Sequence, residues 1–469
     1  MEEKQELKRS LGFFPVLAMV MGTVIGAGVF FKAGTISSMT GNAGLQLLVW
    51  TLGGLLSIAG GLTAAELAAA IPETGGLIRY IERGFGKAWG FVTGWAQTLI
   101  NYPAQIAALA TVFAVQFLNL FGMKQTTGAI VIIGILAALS VTLLNFISAK
   151  VAGTVQSVTL VIKLIPIVLI ILIGLFINPH AVNFSIFPIA VGEAVANHPS
   201  LAQTIGLGLL ATMFAYDGWI YVGNVAGEMK NPKRDLPRAI IFGLIAITLI
   251  YVLINAAYIH TLGVNQLATI TNDPHQGTAV LPGKIADLLF GGWAGKLITI
   301  GIMISVYGTI NGYTMTGSRA TYAFARENKI KLFSLSKLSK NSVPVNAAIL
   351  QLIIATVMLL ANFIPASGDF AAAGGAFGLL TNLCIFANWL FYTMVFVALF
   401  ILRKKEPELE RPYKVPLYPV VPAIAIIGGV FILVMTLTGS FLGYQLPALI
   451  SIVVIAIGFP IYNVVKGRK

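Results

Sequence analysis

The sequence predicts an all-α membrane protein with twelve transmembrane helices arranged as two inverted repeats of five, followed by two further helices. The first observation is composition: 57% of the residues are hydrophobic and 10% are charged. A soluble domain needs about 25% charged residues to cover its surface. The second is a series of twelve apolar windows long enough to cross a bilayer, which takes about 20 residues. The third is a pair of glycine-containing interruptions in windows 1 and 6.

We number the windows span 1 to span 12. They cover residues 14–34, 43–70, 88–118, 126–147, 152–178, 200–227, 237–262, 292–325, 343–364, 370–402, 417–438 and 445–465. We expect no cleavable signal peptide, because the charged start runs directly into a span longer than a signal-peptide core. The single cysteine excludes an internal disulfide, and the four histidines lack metal-ligand spacing. We therefore expect no metal site and no cofactor.

The basic residues predict the orientation. An even number of spans puts both termini on one side, and with a cytoplasmic N-terminus the inner segments hold 25 of the 30 lysines and arginines. Such asymmetry is typical of cytoplasmic loops. The net charge of +13 is therefore a topology signal that is compatible with contact to anionic membrane lipid, and we expect no nucleic-acid partner. The five exceptions are Lys32, Lys124, Lys163, Lys284 and Lys296.

Span 1 is interrupted by Gly22, Gly26 and Gly28. Each glycine costs a helix interior about 1 kcal/mol, and in lipid a broken helix survives only beside a protein-lined cavity. The half-helix that starts after Gly26-Ala27-Gly28 would offer N–H groups to a carboxylate, and carbonyls near Val24 would suit an ammonium group. The alternative is helix packing, since Gly22-x-x-x-Gly26 is also a small-residue packing motif.

Span 6 carries a second interruption at Asp217-Gly218. It lies five spans after the first and therefore runs antiparallel to it, the pattern of an inverted-repeat transporter. We predict repeats at 1–178 and 200–402, with 403–469 forming a linker and spans 11 and 12. The carbonyls of 214–217 would complete a site for an α-amino acid. For the Asp217 side chain we favour capping of the following half-helix over contact with a ligand. For Phe214 we favour a lid or wall of the site over plain packing, because it adjoins the interruption.

Two further features fall near the middle of the predicted bundle. Lys163 lies in span 5 about 11 residues from the inner end, roughly 16 Å deep, where an unpaired ammonium costs several kcal/mol. We expect it to donate to carbonyls freed by the interruption of span 1, where a coupling cation could otherwise sit; the alternative is a lysine facing a water-filled crevice. Small and polar residues of span 8, at 307–319, either line the path or pack helices.

The motifs resemble the amino acid–polyamine–organocation superfamily and, within it, the L-amino-acid transporter branch, especially bacterial serine/threonine-type exchangers. The resemblance covers spans 1–10 well and spans 11–12 loosely. The motifs that carry it are Gly22-Thr23-Val24-Ile25-Gly26-Ala27-Gly28-Val29-Phe30, Ala65-Glu66-Leu67 with Ile71-Pro72-Glu73-Thr74-Gly75-Gly76, Phe214-Ala215-Tyr216-Asp217-Gly218-Trp219, Gly227-Glu228-Met229-Lys230-Asn231-Pro232, and Asn311-Gly312 with Ser318-Arg319.

The resemblance implies a LeuT-like fold, alternating access and sodium-independent exchange of neutral amino acids. It implies that the N–H groups of Ala27 and Gly28 hold the carboxylate and that carbonyls in both interruptions hold the amine. Phe214 would gate the site from outside, Lys163 would tether span 1 to span 8, and Asn388 would lie near the substrate side chain. The predicted substrate-binding residues are Thr23, Val24, Gly26, Ala27, Gly28, Phe214, Ala215, Asp217 and Asn388.

The chain departs from its relatives at two places. Ala27 stands where many relatives have serine, so a hydroxyl contact to the carboxylate is missing. Eukaryotic relatives bind a heavy subunit through a cysteine between spans 3 and 4, but the loop 119–127 has no cysteine here. We therefore expect no disulfide-linked heavy subunit.

We accordingly predict a plasma-membrane exchanger for small neutral L-amino acids such as serine, threonine and alanine, and not an enzyme. The first alternative is a proton-coupled symporter in which Lys163 is the proton-linked group. A second is a receptor that binds an amino acid without moving it. A channel is disfavoured because no ring of charges repeats, and an enzyme because no histidine or thiol joins Asp217 and Lys163 at depth.

Overall fold

The computed structural model describes residues 7–177, 182, 185–189, 200–272, 281–365 and 374–467. Within these ranges the chain is almost entirely helical, with one isolated parallel β-bridge between Leu11 and Met229. Twelve helices are long and apolar enough to cross a membrane. The predicted all-α membrane class and the number of spans are confirmed.

The observed spans lie close to the predicted windows. They are Phe13–Thr40, Ala43–Ala70, Lys87–Leu120, Thr127–Ile147, Ala149–Phe176, Leu201–Glu228, Pro232–Thr271, Ala294–Glu327, Val345–Phe363, Gly375–Lys405, Val420–Thr438 and Phe441–Gly467. Among the described residues, two shorter α-helices, Gly76–Phe85 and Leu281–Phe290, and a 3-10 helix, Leu332–Ser334, lie between spans. Of the window predicted for span 10, residues 370–373 lie outside the described part of the chain.

The largest boundary difference is in span 7, which extends well beyond the predicted window of 237–262 at both ends. The helix begins with Pro232 in its first turn and continues past a kink at Gly263, whose φ is 73°. Helical hydrogen bonding runs on through polar residues, whereas a hydropathy window stops where the apolar residues stop. Only glycine adopts such a left-handed φ without strain.

Span 1 consists of two half-helices. Half-helix 1a is Phe13–Val24 and half-helix 1b is Gly28–Thr40. The chain leaves the α-helix at Ile25, whose ψ is 84°, and the N–H of Gly26 turns back to the carbonyl of Val24 at 2.8 Å. The three intervening residues are all buried, so the interruption faces protein.

Span 6 is interrupted in the same way. Half-helix 6a is Leu201–Ala215, and segment 6b is a 3-10 helix at Trp219–Glu228. Gly218 joins them with a φ of 111°, a conformation that a residue with a Cβ rarely adopts. Spans 1 and 6 are the most buried of the twelve, at 78% and 89% of their central windows, whereas spans 11 and 12 reach 28% and 22%. The two interrupted spans therefore form the centre of the bundle.

Ion pairs collect at one end of the bundle, which we call the basic end. Arg79, in the short helix after span 2, pairs with Glu327 at the end of span 8. Arg83 of the same helix pairs with Glu406, directly after span 10. The N-terminal segment lies at this end too, because the N–H groups of Ser10 and Leu11 both donate to the carbonyl of Glu228 at 2.9 Å.

The carboxylate of Glu66 joins span 2 to span 10 and to the linker after it. Glu66 is fully buried and accepts two hydrogen bonds from Arg403, at 2.9 and 2.6 Å. The N–H of Val415 donates to it at 2.7 Å, and the Arg411 guanidinium lies 3.4 Å away. Arg403 also stacks on Tyr418, 3.9 Å from the ring centroid. One acidic group thus fixes the path of the linker toward span 11.

We expect Glu66→Gln to destabilise the protein. The substitution leaves the Arg403 guanidinium, 23% exposed, without its anionic partner, and losing one member of a largely buried pair costs about 2–4 kcal/mol. The unfolding midpoint of the detergent-solubilised protein should fall by several degrees, whereas Glu408→Gln, at an exposed position of the same linker, should leave it unchanged. Equal midpoints for both variants would contradict this role of Glu66.

Candidate functional site

The two interruptions touch each other through their backbones. A Cβ built on Gly28 would lie 2.7 Å from the Cα of Ala215, closer than real Cβ atoms come, so half-helix 1b meets 6a only because residue 28 is glycine. The Thr23 hydroxyl lies 3.4 Å from the carbonyl oxygen of Gly218. The Tyr251 hydroxyl lies 2.9 Å from the carbonyl oxygens of both Val24 and Ala215, which joins the interruptions through span 7.

A small cavity lies at this contact. Its volume is about 10 Å³, roughly the space that one water molecule needs. An amino acid does not fit this volume, so the structure is closed around the cavity. The lining residues are Thr23, Val24, Gly26, Ala27, Gly28, Gln105, Leu109, Phe214, Thr309 and Tyr313.

One edge of the cavity suits an anion. The first N–H groups of a helix have no acceptor within the helix, and among the described residues no side chain caps the start of half-helix 1b. This start carries a partial positive charge from the helix dipole. The cavity is lined by Gly26, Ala27 and Gly28, so a carboxylate could approach the backbone with little obstruction from side chains.

Lys163 binds backbone carbonyls of the interruption of span 1. Its Nζ donates to the carbonyls of Gly22 at 3.0 Å, Ile25 at 2.6 Å and Ser305 at 3.1 Å, and it lies 3.3 Å from the Thr309 hydroxyl. The side chain is fully buried, enclosed by these oxygens rather than open to a crevice. Lys163 therefore links span 5 to the interruption of span 1 and to span 8.

The interpretation of Asp217 as a helix cap is wrong. Gly218, not Asp217, occupies the N-cap position of segment 6b. The carboxylate instead accepts from four side chains of spans 3, 8 and 10. The donors are Gln105 at 3.0 Å, Tyr313 at 3.5 Å, Asn388 at 2.9 Å and Tyr392 at 2.6 Å. A buried carboxylate needs such partners, and here they come from three other spans rather than from the turn that follows Asp217.

The remaining predicted residues take different positions. Phe214 lines the cavity, whereas Ala215, Asp217 and Asn388 lie outside its lining. Ala215 contributes its backbone to the contact with half-helix 1b. Asn388 lies behind the site on the Asp217 carboxylate, and its buried Oδ1 has no partner among the described residues.

Span 3 contributes site residues that the sequence reasoning missed. Gln105 and Leu109 line the cavity, one helical turn apart. Gln97 and Asn101 precede Gln105 at the same four-residue spacing, in a π-helical turn at Gln97–Asn101, and π turns often mark functional sites. A row of amides in a membrane span is costly, and this pattern could have identified span 3. Thr309 and Tyr313 of span 8, left open between path and packing, also line the cavity.

Two layers close the bundle around the cavity. On one side Phe214 packs edge-on against Phe377, with ring centroids 5.5 Å apart, and the Lys32 amine lies 5.8 Å from the Phe214 centroid. Toward the basic end, Arg319 pairs with Glu228 at 3.0 Å, with exposures of 0% and 1%. A buried pair of this kind is broken only at considerable cost.

Comparison with known proteins places the chain in a family. The family model described as amino acid permease matches residues 11–459, which include both interruptions, Lys163 and Asp217. The chain belongs to the amino acid permease family. The resemblance of its motifs to the amino acid–polyamine–organocation superfamily is thereby confirmed.

Three curated members of this permease family illustrate the similarity. The serine/threonine exchanger SteT of Bacillus subtilis is 38% identical over 469 residues, which is 100% of this chain and 99% of SteT. The human cystine/glutamate transporter is 31% identical over 90% of this chain and 79% of its own length. The mouse Asc-type amino acid transporter 1 is 28% identical over 98% and 82%.

We expect Lys163→Met to loosen the interruption of span 1 in this permease. The carbonyls of Gly22 and Ile25 would lose their charged donor, and such a hydrogen bond contributes about 1.5–3 kcal/mol. Hydrogen–deuterium exchange of the amides at 21–31 should therefore accelerate at least tenfold. Lys296→Met, at an exposed position of span 8, is the matched control. Equal protection in both variants would show that Lys163 does not hold the interruption.

Proposed function

We propose that the protein exchanges small neutral L-amino acids, such as serine, threonine and alanine, across the plasma membrane by alternating access and without sodium. The observation that carries the proposal is the meeting of two interrupted spans at one buried cavity, where the N-terminus of half-helix 1b lies beside Val24 and Phe214. Membership of the amino acid permease family and the exchange of serine and threonine ascribed to SteT agree with it.

The cavity supplies complementary groups for a zwitterion. The N–H groups of Ala27 and Gly28 would hold the carboxylate, and the carbonyls of Val24, Phe214 and Asp217 would hold the ammonium. The Val24 carbonyl already accepts from the Gly26 N–H at 2.8 Å and lies 2.9 Å from the Tyr251 hydroxyl. A hydroxyl has one hydrogen to donate, and the Ala215 carbonyl lies equally close to it. Tyr251 can therefore donate to Ala215 and leave one lone pair of the Val24 oxygen to the ammonium. Thr23, Gly26 and Ala215 would shape the backbone around the ligand.

The residues that line the cavity favour substrates whose side chains are uncharged and small. Its described residues include no charged side chain, and the charge of Asp217 is already met by four donors behind the wall. A charged substrate side chain would therefore enter without a counter-ion, which is unfavourable in a buried site. Gln105, Leu109 and Tyr313 occupy the space beyond the backbone contacts, which disfavours bulky side chains. Asn388 would influence the shape of this space indirectly, through its hydrogen bond to Asp217.

Lys163 explains why sodium would not be required. In inverted-repeat transporters the carbonyls of an unwound span coordinate the coupling ion. Here three carbonyls and a hydroxyl lie within 3.3 Å of the Lys163 amine. The amine fills the oxygen cage that a sodium ion would need, so the side chain supplies the positive charge itself.

Alternating access would open the two layers in turn. We place the basic end and both termini in the cytoplasm, following the distribution of lysine and arginine, and this makes the Phe214–Phe377 layer the outer one. The repeats at 1–178 and 200–402 would supply one interrupted span each, with 403–469 added at the periphery. We propose no disulfide-linked subunit, because the sole cysteine, Cys384, is buried in span 10.

Counterflow in proteoliposomes tests the proposal. Vesicles that hold the purified protein and internal serine should take up radiolabelled serine, threonine or alanine faster than vesicles without internal amino acid, in sodium-free buffer. Uptake that needs a proton gradient and no internal substrate would instead establish a proton-coupled symporter. Binding of labelled serine without any flux would establish a receptor, and either result would overturn the exchange proposal.

Gly28→Ala tests the backbone contact on which the site depends. Because the new Cβ would meet the Ala215 backbone at 2.7 Å, half-helices 1b and 6a must separate, which costs about 1–3 kcal/mol of stability. We expect counterflow per folded protein to fall at least tenfold. Gly128→Ala is the matched control, since nothing lies within 4 Å of a Cβ there. Unaltered counterflow in Gly28→Ala would argue against recognition by the touching interruptions.

A further inference from the structure

A second cavity, with a volume of about 360 Å³, lies at the basic end. Cavities of this size hold small-molecule ligands, and nothing in the proposed exchange cycle uses it. Four of its seven lining residues are cationic and none is acidic. The lining residues are Arg9, Pro72, Lys230, Asn231, Pro232, Lys233 and Arg234. We call this cavity the basic cleft.

The basic cleft is built from three separate segments of the chain. Arg9 precedes span 1, Pro72 follows span 2, and the remaining residues connect span 6 to span 7. The connection is rigid at this point, because the N–H of Lys230 donates to the carbonyl of Leu11 at 2.9 Å and Leu11 pairs with Met229 in a β-bridge. Arg9 and Lys230 are therefore held on facing strands of backbone rather than on independent loops.

The cations of the basic cleft are not neutralised by strong internal pairing. Lys233 lies 2.6 Å from Glu410, but the two side chains are 52% and 73% exposed, and pairs so exposed are weak in water. Arg234 pairs with Asp235 at 2.7 Å while remaining 58% exposed, and a guanidinium has five N–H donors. Lys230 and Arg9 are exposed. A doubly or singly charged anion can thus displace or share these contacts.

We propose that the basic cleft binds a phosphate group, supplied either by the head group of an anionic phospholipid or by a free phosphate anion. Arginine and lysine together are the residues that bind phosphate in proteins. The cleft lies at the ends of spans 1, 2, 6 and 7, and basic clusters beside membrane spans attract anionic head groups. The site is distinct from the cavity between the interruptions, and its occupancy does not depend on the proposed exchange.

A phosphate in the basic cleft would act on the start of half-helix 1a. Arg9 lies next to Ser10 and Leu11, whose N–H groups hold the Glu228 carbonyl at 2.9 Å, and Lys230 follows directly after that connection. An anion that bridges Arg9 and Lys230 stabilises the pairing of these backbones. It therefore favours the conformation in which the basic end is closed.

The test measures thermal unfolding of the delipidated protein in neutral detergent. The probes are dioctanoyl phosphatidylglycerol, dioctanoyl phosphatidylcholine as the zwitterionic control, and sodium phosphate against sodium chloride at equal ionic strength. The cleft variant is Arg9→Gln with Lys230→Gln. The control variant is Lys337→Gln with Lys340→Gln, which removes the same charge from exposed positions outside the cleft.

We expect phosphatidylglycerol to raise the unfolding midpoint of the wild type and of the control variant. Half-saturation should shift roughly 25-fold higher in the cleft variant, since each of its two lost basic residues contributes about a factor of five near a membrane surface. A cleft-dependent rise with sodium phosphate alone supports the proposal with a free anion as the source. Lys230→Glu should likewise raise the lipid concentration at which the midpoint shift is half-saturated. Equal shifts in both double variants, or no cleft-dependent shift with either probe, would overturn the proposal.

Discussion

A backbone that leaves the helix inside a membrane must find new hydrogen-bond partners, and in span 1 the charged one among them is the Lys163 amine. It donates to the carbonyls of Gly22 and Ile25 and also to one on span 8. Unsatisfied carbonyls in hydrocarbon cost several kcal/mol each, so the amine stabilises the interruption and fixes its position. The approach of half-helix 1b to Ala215, and with it the cavity, depends on this anchoring.

The buried charged side chains of the protein join distant spans and do not line the cavity between the interruptions. Asp217, Glu228 and Glu66 are at most 3% exposed, and each is met by donors from distant spans. The cavity between the interruptions is lined instead by neutral side chains and backbone groups. Recognition by backbone dipoles suits the invariant part of an amino acid, the carboxylate and the ammonium, which every substrate of such a site shares.

The structure is closed on both sides of the cavity, and the closing contacts differ in kind. The Phe214–Phe377 layer is an aromatic contact without hydrogen bonds between the rings, whereas the basic end is held by the Arg319–Glu228 pair and by backbone pairing of Leu11 with Met229. Separating the two phenyl rings breaks no hydrogen bond between them. Opening the basic end requires half-helix 1a to release backbone hydrogen bonds, so a ligand at the basic cleft is placed to influence that step.

The sequence by itself determined the number of spans and the positions of both interruptions, because apolar length and glycine content act locally along the chain. It also identified Lys163 as a residue that needs hydrogen-bond acceptors, since an unpaired ammonium at that depth is costly however the helices pack. It did not determine the hydrogen-bond donors to Asp217, which lie 96 to 175 positions away in the sequence. It also did not show that Gln105 lines the cavity. Those contacts exist only when spans 3, 6, 8 and 10 are packed together. Local pattern therefore predicted a cap at Asp217, and tertiary packing made it the acceptor of a buried network.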